Sequence, residues 1–187
     1  MAPEHHSVDG TRVDVEFICE TDQVPPGRIH RLKQGTGSGF AAFNARCAGL
    51  TSQDNVEVPV TAERLDAGGL STVTLRVAGV LTFTALKVLA FQDRHHSKDS
   101  YDLVYTLNNY ENGPKAAGEV AAQSPVRSET SVAEALGVLR ERFESPDHDG
   151  PAAYANFMAD RDDQEHKARL RNEAVAVVRQ FLSSAGA

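Results

Sequence analysis

The densest charge in the chain lies in one stretch, Leu86-Lys87-Val88-Leu89-Ala90-Phe91-Gln92-Asp93-Arg94-His95-His96-Ser97-Lys98-Asp99-Ser100-Tyr101-Asp102-Leu103. Lys87 and Arg94 are separated by two helical turns and therefore share a face. Asp99 and Asp102 share a face of the first turn of a following helix. A helix turn that presents Lys87, Arg94 and Lys98 beside two carboxylates can bind a phosphate and order its surroundings. The same residues also suit an N-capped helix with surface ion pairs. Lys87 shifts the balance, because it sits inside an apolar run, where a lysine needs a partner.

A second pair of carboxylates, Asp14 and Glu16, lies in Arg12-Val13-Asp14-Val15-Glu16-Phe17. On a strand these two point the same way, about 6–7 Å apart, and can share a hard cation such as Mg²⁺ through oxygen ligands. A solvated polar face of an edge strand has the same spacing. Gly35-Thr36-Gly37-Ser38-Gly39 invites a phosphate-loop reading, but no Gly-Lys-Ser/Thr follows it, and a flexible turn explains it better. His95 and His96 are adjacent and do not converge on one metal, and no His-Glu-x-x-His or Cys-x-x-Cys occurs. Cys47 reads most simply as core.

The elements that must position these groups follow from periodicity. Residues 1–11 are polar and expected to be loose. Residues 12–17 alternate, with Val13, Val15 and Phe17 on one face, and predict a half-buried strand. Phe40, Phe43 and Cys47 fall at helical spacing, so residues 40–50 predict a helix ending at Gly49. Val56–Val60 and Ser71–Val77 predict strands, the first at an edge because of Pro59, with a turn at Asp66–Gly69. Helices are expected at 81–93, from Ser97 or Asp99 to about Glu111, at 115–122, 131–143, 152–160 and 162–182. Residues 1–80 would form a β-core and 81–187 a helical part packed on it, as one compact unit.

Composition narrows the class. The chain has 187 residues, a net charge of −7 and 24% charged residues, ordinary values for a soluble globular domain. An acidic balance argues against a protein that coats nucleic acid, but leaves room for an RNA held at one basic patch. Two cysteines, Cys19 and Cys47, cannot build a disulfide framework. The N-terminus lacks the features of a signal peptide, and the apolar run Val77–Phe91 is too short to span a bilayer. A cytoplasmic protein is expected.

The motif at Lys87, Asp93-Arg94 and Lys98-Asp99-Ser100-Tyr101-Asp102-Leu103 resembles the signature of nucleotidyltransferase-fold toxins of the abortive-infection (AbiEii) type. In that family a helix carrying Lys and ending in Asp-Arg precedes Lys/Arg-Asp-x-Tyr/Phe-Asp-Leu/Ile. Residues 12–17 are similar to the family's later carboxylate strand, upstream of the Lys helix. The resemblance implies an α+β fold: a truncated nucleotidyltransferase-like mixed β-sheet followed by an α-helical bundle. It implies an NTP substrate, Mg²⁺, a tRNA or protein acceptor, a cognate antitoxin and no membrane. Asp14 would be the third carboxylate, a base or a metal-side ligand, with Glu16 beside it at the metal. Lys87 would contact nucleotide phosphates, helped by Arg94 and Lys98. Asp99 and Asp102 would orient these cations or contact substrate.

The family opens with a Gly-Gly or Gly-Ser turn and an Asp-x-Asp strand. Only 13 residues precede Asp14, and Gly35–Gly39 follows it. The expectation is a family member without that module, its transfer activity impaired and a sheet edge exposed, lowering solubility. Two other readings stay open: an inactive remnant serving as an interaction module, and an unrelated α+β protein.

Overall fold

A computed structural model describes residues 15–31, 40–64 and 68–187, and the backbone of 6–8 and 11–13. The order is strands first and helices after. β1 (His6–Val8) pairs antiparallel with β2 (Thr11–Val13). β3 (Ile18–Cys19), β4 (Ile29–Arg31) and β5 (Ala41–Asn44) form a mixed sheet of order β3-β5-β4, with β3 parallel and β4 antiparallel to β5. β6 (Asn55–Glu63) and β7 (Leu70–Ala78) make a long antiparallel hairpin. The helices are α1 (Val80–Arg94), α2 (Ser97–Asn108), α3 (Gly113–Ala122), α4 (Thr130–Arg142), α5 (Asp149–Met158) and α6 (Gln164–Ser184). The architecture is α+β.

The main core is helical. Leu81, Val88, Leu103, Val104, Leu107, Val132, Leu139, Val178 and Phe181 are buried in one cluster drawn from α1, α2, α4 and α6. These positions recur at three- and four-residue intervals, so each helix contributes one apolar face. α3 lies so close to α6 that a Cβ on Gly118 would collide with the Phe181 carbonyl and the Ser184 side chain. Asp54 holds the start of α1: its Oδ2 accepts from the Thr82 amide at 3.0 Å and the Thr82 hydroxyl at 2.8 Å. That grip needs Gly79, since a Cβ there would strike the Asp54 carboxylate.

Several sequence expectations change. The polar start contains a strand pair rather than loose chain. The alternating run 12–17 is not one strand: β2 ends at Val13, residues 15–17 are irregular, and Val15 and Phe17 are exposed. Strand pairing resumes at β3, where β5 provides a partner; Phe17 instead sets its ring edge-on to Phe40 at 5.4 Å. Residues 40–50 are not a helix but β5 followed by a 3₁₀ turn, Ala48–Ser52. Ala42 and Asn44 are buried while Ala41 and Phe43 are exposed, a period of two. Asn44 accepts from the Thr21 amide at 3.0 Å and donates to the Thr21 and Val24 carbonyls at 2.8 and 2.6 Å, which fixes the strand. Cys47 then turns the chain at φ 68°, and Glu20 accepts from the Cys47 and Gly49 amides. Gly35–Gly39 and part of the expected turn at 66–69 lie outside the described residues.

The hairpin was expected, and its register is informative. Val56, Val58 and Val60 stand opposite Val77, Leu75 and Val73 and make one apolar face. Glu57 faces Arg76 and Thr61 faces Thr72 on the other, the threonine hydroxyls 2.8 Å apart. All six apolar side chains are exposed. Among the described residues β6 and β7 pair only with each other.

Candidate functional site: a cation cluster at the α1–α2 turn

Two helices and a tight turn build the cluster. α1 ends at Arg94, and His95 takes the left-handed conformation (φ 49°), sending its amide back to the Phe91 carbonyl at 2.8 Å. α2 starts at Ser97, so its first turn folds back beside the end of α1. The carboxylates spaced three apart on α2 therefore meet the cations spaced two turns apart on α1.

Lys87 sits between them. Its Nζ donates to Asp102 Oδ2 at 2.6 Å and lies 3.4 Å from Asp99 Oδ1. The Phe83 ring lies 5.9 Å from the same ammonium, within cation–π range. Arg94 grips Asp99 with two parallel bonds, Nε to Oδ2 at 2.6 Å and Nη2 to Oδ1 at 2.7 Å. Such a fork is the strongest ordinary form of this pair. Lys98 closes the cluster with bonds of 2.8 and 2.7 Å to the two oxygens of Asp102. The Asp99 side chain is 2% exposed and that of Asp102 17%, against 24% for Lys87, 55% for Arg94 and 57% for Lys98. The carboxylates form the floor, and the heads of Arg94 and Lys98 face solvent.

The electrostatics agree with this layering. Burial opposes the charge on Asp99, but hydrogen bonds and charge from Arg94, then Lys87, outweigh it and hold the carboxyl below its ordinary range. Burial likewise opposes Asp102, and Lys87 and Lys98 outweigh it. Arg94 is held more firmly protonated by its bonds to Asp99, and the charge of Glu16 adds to that effect. Three cations and two carboxylates leave a net positive charge at this point of an acidic chain.

The structure thus brings Lys87, Arg94, Lys98, Asp99 and Asp102 together, and carries Glu16 within electrostatic reach of Arg94. Asp14 lies outside the described residues. Among the described residues no group of three His, Cys, Asp or Glu side chains is placed to hold a metal ion. The oxygens of Asp99 and Asp102 are already bonded to cations.

Sequence reasoning missed the supports of this turn. Asp149, at the start of α5, accepts from Arg142 Nη1 at 3.0 Å and lies 3.4 Å from His95 Nδ1. Ser100 Oγ donates to the Gly150 carbonyl at 2.7 Å. Asp93 is paired with Arg46, which also reaches Glu134 at 2.7 Å. The sole local signal was Asp149-Gly150-Pro151, a good helix start, which places α5 three residues earlier than its apolar pattern suggested.

Among the described residues no helix is long and apolar enough to cross a membrane. No curated protein and no solved structure matches the chain. One family model does, over residues 43–179, a span that contains the whole cation cluster but neither Asp14 nor Glu16; it describes the nucleotidyl transferase AbiEii toxin of a type IV toxin–antitoxin system. A match over well over half of its length, with the Lys87–Asp102 cluster inside it, makes this chain a member of the AbiEii nucleotidyltransferase toxin family.

Proposed function

We propose that the chain transfers a nucleoside monophosphate from an NTP to a hydroxyl of an RNA or protein acceptor, as a toxin held in check by a cognate antitoxin in the cytoplasm. The observation that carries this reading is the layered cluster, in which Lys87 is fixed between the buried Asp99 and the partly buried Asp102 while Arg94 and Lys98 keep exposed cationic heads. In the reaction the acceptor oxygen bonds to the α-phosphorus, the bond to the β-phosphate bridging oxygen breaks, and pyrophosphate leaves. Charge builds on the equatorial and leaving oxygens, so fixed cations stabilise the transition state more than the ground state.

Lys87, Arg94 and Lys98 supply that charge in our assignment. Asp99 is a positioning residue: buried, doubly bonded and held below its ordinary pKa, it is a poor proton acceptor. Asp102 acts likewise through Lys87 and Lys98. The hydroxyl proton goes to Asp14, the carboxylate the family resemblance assigns as base. Mg²⁺, with Asp14 and Glu16 as its ligands, would supply further charge neutralisation at the phosphates.

The test is incubation of the full chain with α-labelled NTPs, Mg²⁺ and total tRNA, or with protein acceptors. Label should appear on an acceptor, and Lys87→Ala and Asp14→Ala should each abolish it. Absence of transfer with every acceptor pool sinks the proposed reaction, and full activity of Lys87→Ala sinks the proposed site.

A further inference from the structure

A second cationic feature lies outside the cluster. A cleft of about 340 Å³ runs between the α4–α5 turn, which contributes Pro146 and Asp147, and α6, which contributes Gln164, Lys167, Arg171 and Asn172. Lys167 and Arg171 are one helical turn apart on the same face. Lys167 is 8% exposed, yet among the described residues its side chain makes one hydrogen bond, from Nζ to the Arg161 carbonyl at 3.1 Å. The Arg171 Nε is buried and has no hydrogen-bond partner. Among the described residues no carboxylate lies within 4.0 Å of either cation; Asp147 stays exposed at the rim.

A largely buried lysine whose ammonium is held by one carbonyl, beside a guanidinium with an unmade bond, gains from an anion at this point. Two cations and two side-chain amides around a cleft of this size suit a tetrahedral oxyanion, which accepts several charge-assisted bonds at once. We infer that this cleft is a phosphate-binding subsite, with Lys167 and Arg171 as its principal ligands.

Its position favours a role alongside the cluster. The segment that walls the cleft at Pro146 and Asp147 continues into Asp149 and Gly150, which contact His95 and Ser100 at the α1–α2 turn. One short stretch of chain thus separates the two cationic features. The phosphate can come from a nucleic-acid backbone or from a free nucleotide, and the subsite stands whether or not the chain transfers nucleotides.

The test is an amide-resolved NMR titration of the ¹⁵N-labelled full chain at constant ionic strength. Inorganic phosphate, ATP and a short single-stranded oligoribonucleotide are added in separate arms, with chloride as control. Phosphate should shift the amides of Asp147 and of Gln164–Asn172 saturably. Arg171→Gln and Lys167→Gln should each weaken that response about tenfold, the loss expected for one charge-assisted contact. Tighter binding of the oligoribonucleotide at the same amides, in competition with phosphate, assigns the backbone as the source; tighter binding of ATP there assigns a free nucleotide. Shifts that chloride reproduces, no response in any arm, or an unaltered response in a folded Arg171→Gln protein overturn the inference. The label-transfer assay can fail without touching this result, so the two proposals are separable.

Discussion

Asp99→Asn is the substitution that probes the layering of the cluster most directly. It keeps the shape of the side chain and removes its charge. Breaking a buried ion pair by removing one partner costs about 3–5 kcal/mol when both charges are desolvated. Here Asp99 is desolvated, but Arg94 is half exposed and Lys87 a quarter exposed, so both can recover hydration. The lower end of that range applies. The lost carboxylate also sits in the first turn of α2, where a negative charge favours the helix by about 0.5 kcal/mol. The sum is a loss of about 3.5 kcal/mol, or a fall of about 7–14 °C in midpoint for a chain of this size.

Asp102→Asn is the internal control. Its partners are lysines, one of them largely exposed, and the side chain is itself partly exposed. A loss of about 1 kcal/mol is expected there. Urea unfolding followed by circular dichroism measures both, provided the slope with denaturant is unchanged. A loss at Asp99 no larger than that at Asp102 would refute the claim that Asp99 is the buried anchor. A double-mutant cycle with Arg94→Gln should show a coupling of about 1–2 kcal/mol, and a coupling near zero would refute the importance of the fork.

Two further outcomes follow from the same structure. Asp99 and Asp102 are held below their unfolded pKa of about 3.9, so their contribution is complete above that value and is lost as pH falls through the folded pKa values; acid titration of the urea midpoint should be steeper below about pH 4 for the native chain than for Asp99→Asn, and parallel curves would contradict the assignment. The exposed face of Val56, Val58, Val60, Val73, Leu75 and Val77, on a ribbon whose strands pair only with each other among the described residues, should cause concentration-dependent association. Leu75→Lys should reduce it in light scattering at matched concentrations, and a strictly monomeric native chain would count against the idea.

The helical half was legible because each helix states its own period. Leu81, Ala85, Val88 and Leu89 repeat at helical intervals, as do Leu170, Ala174, Val177, Val178 and Phe181, and their burial follows from that alone. The strand half misled where two periods overlap. Phe40, Phe43 and Cys47 fit a helix by spacing, yet Ala42 and Asn44 are the buried members of a strand. What decides the conformation there is Asn44 bonding across 23 and 20 residues to Thr21 and Val24, a tertiary contact with no trace in local periodicity. The irregular stretch 15–17 makes the same point in reverse. A clean alternation becomes a full strand only if a neighbour pairs with it throughout its length.

The cluster shows how far spacing can carry chemistry. Two aspartates three apart near the start of a helix can orient the neighbouring cations or contact substrate themselves, and the sequence does not separate the two. The geometry favours the first. Both oxygens of Asp99 are engaged by Arg94, with Lys87 3.4 Å from one of them, and both oxygens of Asp102 by Lys98, with Lys87 on one of them. A carboxylate so occupied cannot also be a free base, which points the search for a proton acceptor upstream in the sequence, to Asp14 and Glu16. It also explains why Lys87 can sit in an apolar run: its ammonium reaches off α1 to the first turn of the next helix. The tight turn at His95 makes that reach possible. A longer α1–α2 connection would leave the same residues in the sequence and no cluster in the fold.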